Sequence, residues 1–220
     1  MISQIKTYTL KRVILLSIFI GILLIIIVYK INEREHVNKK LEKATYEQLK
    51  EEFRLINEVE IYEFMNSMLN GKDTVVEDKR EHIKIDCLTL EHGIEFREFL
   101  ELQDDSLISK EDKEFMKLQF ANTKYVWDCD RLQNVRCLTP KELKEIEKNS
   151  DRDFWELYKE LYGKYGLHSY SKPIFNKEKT KVIVEHHGSS GWENGSGDLY
   201  LFGKRNGRWY IEAKTILWIR

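Results

Sequence analysis

With 36 Lys+Arg against 37 Asp+Glu, the 220-residue chain has no excess of either sign, and its net charge is −1. No global field gathers nucleic acid or an acidic partner, so a nucleic-acid role is not expected. Cysteine is scarce as well. Cys87, Cys129 and Cys137 make an odd number, with no C-x-x-C and no paired metal-ligand spacing. Cys129 and Cys137 could bridge in an oxidising compartment, but small buried hydrophobes explain all three equally and are the first expectation.

Catalytic and phosphate-binding signatures are also missing. The Gly-rich stretch GSSGWENGSG, Gly188–Gly197, lacks G-K-[S/T] and leads toward a strand, so no helix N-terminus aims at a phosphate. Ser189, Ser190, His186 and His187 stand close together, yet no G-x-S-x-G elbow or acid partner accompanies them. Asp104-Asp105 and the Asp128/Asp130 pair lack EF-hand spacing. No metal and no cofactor is expected. The chain reads as a non-enzyme.

What is present begins with VILLSIFIGILLIIIVY, Val13–Tyr29, which holds no charge and is diluted only by Ser17 and Gly21. As a helix it covers roughly 25 Å, the lower end of what crosses a bilayer core. Lys11, Arg12 and Lys30 flank it and can snorkel to headgroups. A cleaved signal peptide is the competing reading, but the run is long for one, and KINEREHVNKK offers no small-x-small site. The expected layout is a short cytoplasmic tail (1–12), a transmembrane helix (13–29), a juxtamembrane helical stalk (30–54) and a soluble α+β domain (55–220). Basic residues lie on both sides of the apolar run, so the positive-inside rule gives no clean orientation. The N-terminal position of the anchor favours a single-pass protein of the cell membrane with its domain extracytoplasmic.

From Asn32 to Asn70 the text, free of Gly and Pro, reads as helix, with Asn70-Gly71 as its C-cap. Ile83 and Ile85 suggest a short strand, and Ile94, Phe96, Phe99 and Leu100 a short helix. Ser109 with Asp112, and Thr139-Pro140 with Glu142, are capping signals. Ser150 with Asp153 opens a third helix, DFWELYKELYGKYG, which Gly163 or Gly166 stops. After Tyr170 the apolar period shortens to two. Pro173 marks an edge entry, Lys181–His187 alternates, Gly188–Gly197 is a loop, and Asn206-Gly207 is a type I′ hairpin turn. The fold class is α+β: helices packed on a small antiparallel β-meander of three to four strands. Trp209 is expected against the helix that carries Trp155 and Tyr158.

The order S-K-P-I-F, a β-run, the Gly-rich loop, L-Y-L-F-G-K-R-N-G-R-W-Y and a terminal L-W-I resembles an uncharacterised bacterial family of membrane-attached or exported proteins. Upstream, L-I-S-K-E-D-K-E-F-M-K-L-Q and F-W-E-L-Y-K-E-L-Y-G fit the same pattern, so the resemblance spans roughly residues 55–219. It implies one envelope-associated α+β domain and brings no activity or catalytic residues. Such proteins often carry cysteines in the Gly-rich loop, and this one has none there.

Three residues stand out as ligand-binding candidates. Trp192 sits among small polar residues as an exposed aromatic would in a binding tip. Glu185 and His187 share one face of a strand, supplying two ligands where a metal needs three or four. The expected function is binding of an envelope partner or ligand by the anchored domain. The alternatives are an envelope hydrolase built on the Glu185/His187 region and a protective or interaction protein acting on another envelope component.

Overall fold

A computed structural model describes residues 24–25, 27–30, 32, 46–70, 83–120, 124–148, 153–164 and 166–220. The chain divides into two units, Met1–Glu47 and Gln48–Arg220. In the first unit, residues 24–25, 27–30 and 32 are helical and, with their side chains, exposed. The expected transmembrane helix over Val13–Tyr29 is not upheld: among the described residues no helix is long and apolar enough to cross a membrane. Residues 13–23 and 26 of that stretch lie outside the described residues, as do most of the stalk and Gly71. The sheets and the helices that cover them belong to the second unit.

The expected continuous helix to Asn70 is broken. Arg54–Leu55 (β1) pairs in parallel with Tyr125–Val126 (β3), and Ile56 beside it is fully buried. Helix α1, Val59–Leu69, starts only after that pairing and buries Ile61, Tyr62, Phe64, Met65 and Leu69 at helical spacing. Its Tyr62 hydroxyl donates to the Ile56 carbonyl at 2.8 Å and accepts from Asp128 N–H at 2.8 Å. Burial pushes that phenol up to about 12, so it remains a donor.

The main sheet has seven strands and is mixed. Ile83–Asp86 (β2) lies parallel to both Val135–Leu138 (β4) and Leu167–Tyr170 (β5). Beyond β5 every pairing is antiparallel, through Lys181–Gly191 (β7), Asn194–Arg205 (β8) and Arg208–Ile219 (β9), with Ile174–Phe175 (β6) also on β7. The small antiparallel meander of the expectation is therefore only the C-terminal part of a larger sheet. Two short strands from the helical half extend it in parallel, as helical crossovers permit.

Helices cover the two faces unequally. On one face α1 packs over Ile85, Val182, Val184 and Phe202, and Phe64 meets Phe175, Phe202 and Trp209 edge to face. Trp209 thus belongs under α1, not against Trp155 and Tyr158 as expected. On the other face Ile94–Leu102 (α2) and Lys110–Lys117 (α3) cover Ile174, Ile183, Leu199 and Leu201. Pro140–Lys148 (α4) and Phe154–Tyr162 (α5) close a third cluster around Leu138, Ile146, Trp155 and Tyr158.

Two of the three helix starts are capped as expected, and in the third Asp153 itself is the cap, Ser150 lying outside the described residues. Ser109 Oγ accepts from Asp112 N–H at 3.1 Å. Thr139 and Glu142 exchange bonds as a capping box, Glu142 accepting from Thr139 N–H at 2.7 Å. Asp153 caps α5 through Trp155 and Glu156 N–H, and Gly163 ends it at φ 88°. Asn206 and Gly207 have φ of 50° and 76°, as a type I′ turn demands.

Two expectations need correction near the sheet's edges. Gly188–Gly197 is not a loop: strands β7 and β8 run through it, leaving Trp192-Glu193 as the turn. Glycine there makes room for neighbours, since the Trp218 ring occupies the space a Cβ on Gly197 would need. Cys129 and Cys137 are disulfide-bonded, tying the short edge strand β4 to the turn before it, whereas Cys87 is free and buried. On the opposite edge, β9 carries two register shifts and turns Glu212 inward over Gly203, bonded to Lys181 and Arg205.

Candidate functional site

Strand β7 presents His186 and His187 to opposite faces, as alternation requires. His186 lies on the α1 side, near the helix's C-terminal end, where the described residues leave a concavity. There a groove of about 560 Å³ is walled by Ser67, Met68 and Leu69 of α1 and floored by Tyr170 and His186. Tyr200, Phe202, Trp209, Tyr210 and Ile211 of strands β8 and β9 complete it. Five of these ten residues are aromatic and none bears a formal charge. In a chain one-third charged, about three charges would be expected in such a patch.

His186 is tightly held. Its Nε2 is 2.9 Å from Nδ1 of His168 on β5, and the two rings lie within 18° of parallel at 5.2 Å between centroids. That spacing, with that N···N contact, means the rings meet edge to edge, one nitrogen donating and the other accepting. Gly188, opposite His168, leaves the gap through which the imidazoles approach. On its other side His186 is offset-stacked on Tyr170 at 4.7 Å.

The polar neighbours are satisfied among themselves. Asp198, the cross-strand partner of His186, is buried and takes a salt bridge from Lys214 at 3.0 Å. It also accepts from the Tyr200 hydroxyl at 3.3 Å and from Ser196 at 3.2 Å. The bond to Asp198 raises Lys214 above the ordinary lysine range. Burial, and then the neighbouring His168, pushes His186 down to about 3, with Asp198 pulling the other way. Burial also lowers His168 and raises the phenols of Tyr170 and Tyr200. At neutral pH the groove floor is therefore uncharged: two neutral imidazoles and protonated phenols.

This geometry restricts the chemistry. The His168 and His186 nitrogens point at each other across one hydrogen bond, with no space for an ion between them. Among the described residues no group of three His, Cys, Asp or Glu could hold a metal. Among the described residues no hydrogen bond joins a serine or thiol to the histidine pair. What it offers is a fixed, neutral hydrogen-bonding edge at the base of an aromatic groove.

The candidates from sequence lie elsewhere. Glu185 and His187 do meet, His187 Nε2 standing 2.8 Å from Glu185 Oε1, in a close contact outside hydrogen-bond geometry. They sit on the opposite face of β7, where Trp218 packs edge-on against His187 at 5.2 Å. Glu185 is fixed further through its backbone, donating to Ser171 Oγ at 2.9 Å. Trp192 is 63% exposed at the hairpin tip, and its indole N–H donates to Asp153, the cap of α5. Trp192 lines none of the groove. Tyr170, Tyr200 and Trp209, which line the groove, and His168, which holds His186, are not among the candidates from sequence. Their signal was aromatic and histidine residues recurring at one parity over three strands, visible only once the pairing is known.

The chain matches no family model, no curated protein and no solved structure.

Proposed function

We propose that the second unit is a ligand-binding module whose site is the groove between the end of α1 and strands β7–β9. One observation carries this reading: a ten-residue concavity, half aromatic and free of charge, with a half-buried neutral histidine at its base. Its size falls within the range of small-molecule sites, and such sites combine apolar walls with a few fixed polar groups. That no serine or thiol among the described residues is hydrogen-bonded to the histidine pair favours binding over turnover. The Cys129–Cys137 disulfide supports an oxidising compartment as the place where the module works.

The test is a ligand-observed NMR screen of the full chain with a fragment library. Hits from uncharged fragments should vanish in Ile211→Glu, which puts a carboxylate on an exposed groove wall, and persist in Trp192→Ala. A library without hits, or hits indifferent to Ile211→Glu, would refute the groove as the site.

A further inference from the structure

Resting on that reading, we infer that the groove selects a neutral, ring-bearing small molecule that lies on its aromatic wall and shares one hydrogen bond with His186. The first argument is charge. None of the lining residues can neutralise an ionic ligand, and the buried Asp198 beside them is already closed on the exposed Lys214 at 3.0 Å. A carboxylate or ammonium entering the groove would lose water and gain no counter-charge from the lining, and the Lys204 and Lys214 ammoniums already stand over the Trp209 and Tyr200 rings at 5.3 and 5.1 Å. The second argument is shape. Tyr170, Tyr200, Phe202 and Trp209 come from one sheet face, and pleated strands hold such rings as a row against which a flat ring packs in offset or edge-on contact.

A protein strand is the other occupant a groove beside a sheet edge invites, and β9 is built against it. Its two register shifts bend the edge, and Glu212 turns inward between Lys181 and Arg205. Bulges and inward-pointing charges block strand addition. The remaining occupant is a compact molecule seated on the side chains rather than on the backbone.

The experiment uses the full chain and a panel of one- and two-ring compounds, each in neutral, anionic and cationic form. Indole, indole-3-acetate and tryptamine are the first set. Binding is followed by amide and side-chain shifts of groove residues. The neutral form should bind at least tenfold more tightly than either ion. Placing a charge on the wall should then reverse the order: Ile211→Lys should favour the anion and Ile211→Glu the cation. Ile211 is 57% exposed, so both variants are compatible with folding. Equal or tighter binding of an ion by the unaltered chain overturns this inference while leaving the groove a binding site. Absence of groove shifts with every compound overturns both.

Discussion

His186 and His187 are adjacent in the chain and sit in different chemistry. His187 lies on the helix-covered side with a carboxylate at 2.8 Å and a tryptophan edge-on. His186 lies on the α1 side in the groove, bonded to another imidazole and stacked on Tyr170. An imidazole beside a carboxylate is the pattern that attracts attention in a sequence, and here it is packed into structure. The imidazole that faces a cavity has its acid, Asp198, only as a cross-strand neighbour that is closed on Lys214. A strand separates the two roles in a single step because successive side chains alternate.

The largest expected effect separates the two sides by stability. Ile183 is fully buried beneath α2 and α3, whereas Ile211 is exposed in the groove wall. Ile183→Ala should cost on the order of 2–5 kcal/mol. Ile211→Ala should stay within about 0.5 kcal/mol. Thermal unfolding of both variants checks this, and similar shifts would mean that the groove wall is packed as tightly as the covered face.

The second effect concerns the covalent tie on the α1 side. Cys129 and Cys137 are eight residues apart in sequence and pack against the α1 cluster. Opening such a loop costs roughly 2–3 kcal/mol in the chain-entropy account. Reductant, or the Cys129→Ser/Cys137→Ser pair, should lower the melting temperature by several degrees. Amide exchange should accelerate first at Val135–Leu138. Unchanged melting in reductant would show that β4 needs no staple.

Much of the fold was legible because its signals are local. The Ser109 and Thr139 caps and the Asn206-Gly207 turn need only a few neighbouring residues to be read. The parallel strands were not. Ile83–Asp86 and Val135–Leu138 are four residues each, include Lys84 and Arg136, and find each other across about fifty residues of helix and turn. The Gly188–Gly197 stretch misled for a different reason. Its glycines look like loop residues but serve as contact points, Gly197 for the Trp218 ring and Gly188 for the histidine pair. The site inherits this difficulty. His168 and His186 become neighbours only when β5 pairs with β7, and that register is written in no motif.

The third effect is titration. The folded state holds His186 near 3, well below the ordinary value of 6.5, chiefly through burial. A base whose folded pKa is depressed favours the folded state in its neutral form. Its contribution is complete above about pH 6.5 and is lost as pH falls from there toward 3. The slope reaches at most about 1.4 kcal/mol per pH unit for one proton. His186→Asn should therefore lose less stability than the unaltered chain between pH 6.5 and pH 4, measured by urea unfolding. Groups common to both chains cancel in that difference. Parallel pH profiles would mean that His186 titrates freely and is not desolvated at the groove floor.

The smallest expected effect falls on Trp192, the residue that the sequence recommended most for function. Its ring is mostly in solvent, touches Phe154 at 6.1 Å between centroids, and donates one hydrogen bond to Asp153. That bond holds the Asp153 carboxyl below its usual range and links the β7–β8 turn to the start of α5. Removing an exposed ring loses little buried area. The helix keeps its cap, because Asp153 still accepts from Trp155 and Glu156 N–H. Trp192→Ala should thus cost less than about 1 kcal/mol, within the span of an ordinary surface hydrogen bond. Groove binding should not change, since the turn lies at the end of the hairpin and contributes nothing to the lining. If Trp192→Ala instead weakens a ligand that Ile211→Glu leaves untouched, the functional surface is the hairpin tip with α5. His186 would then be one half of a partly buried histidine pair that merely holds β5 to β7.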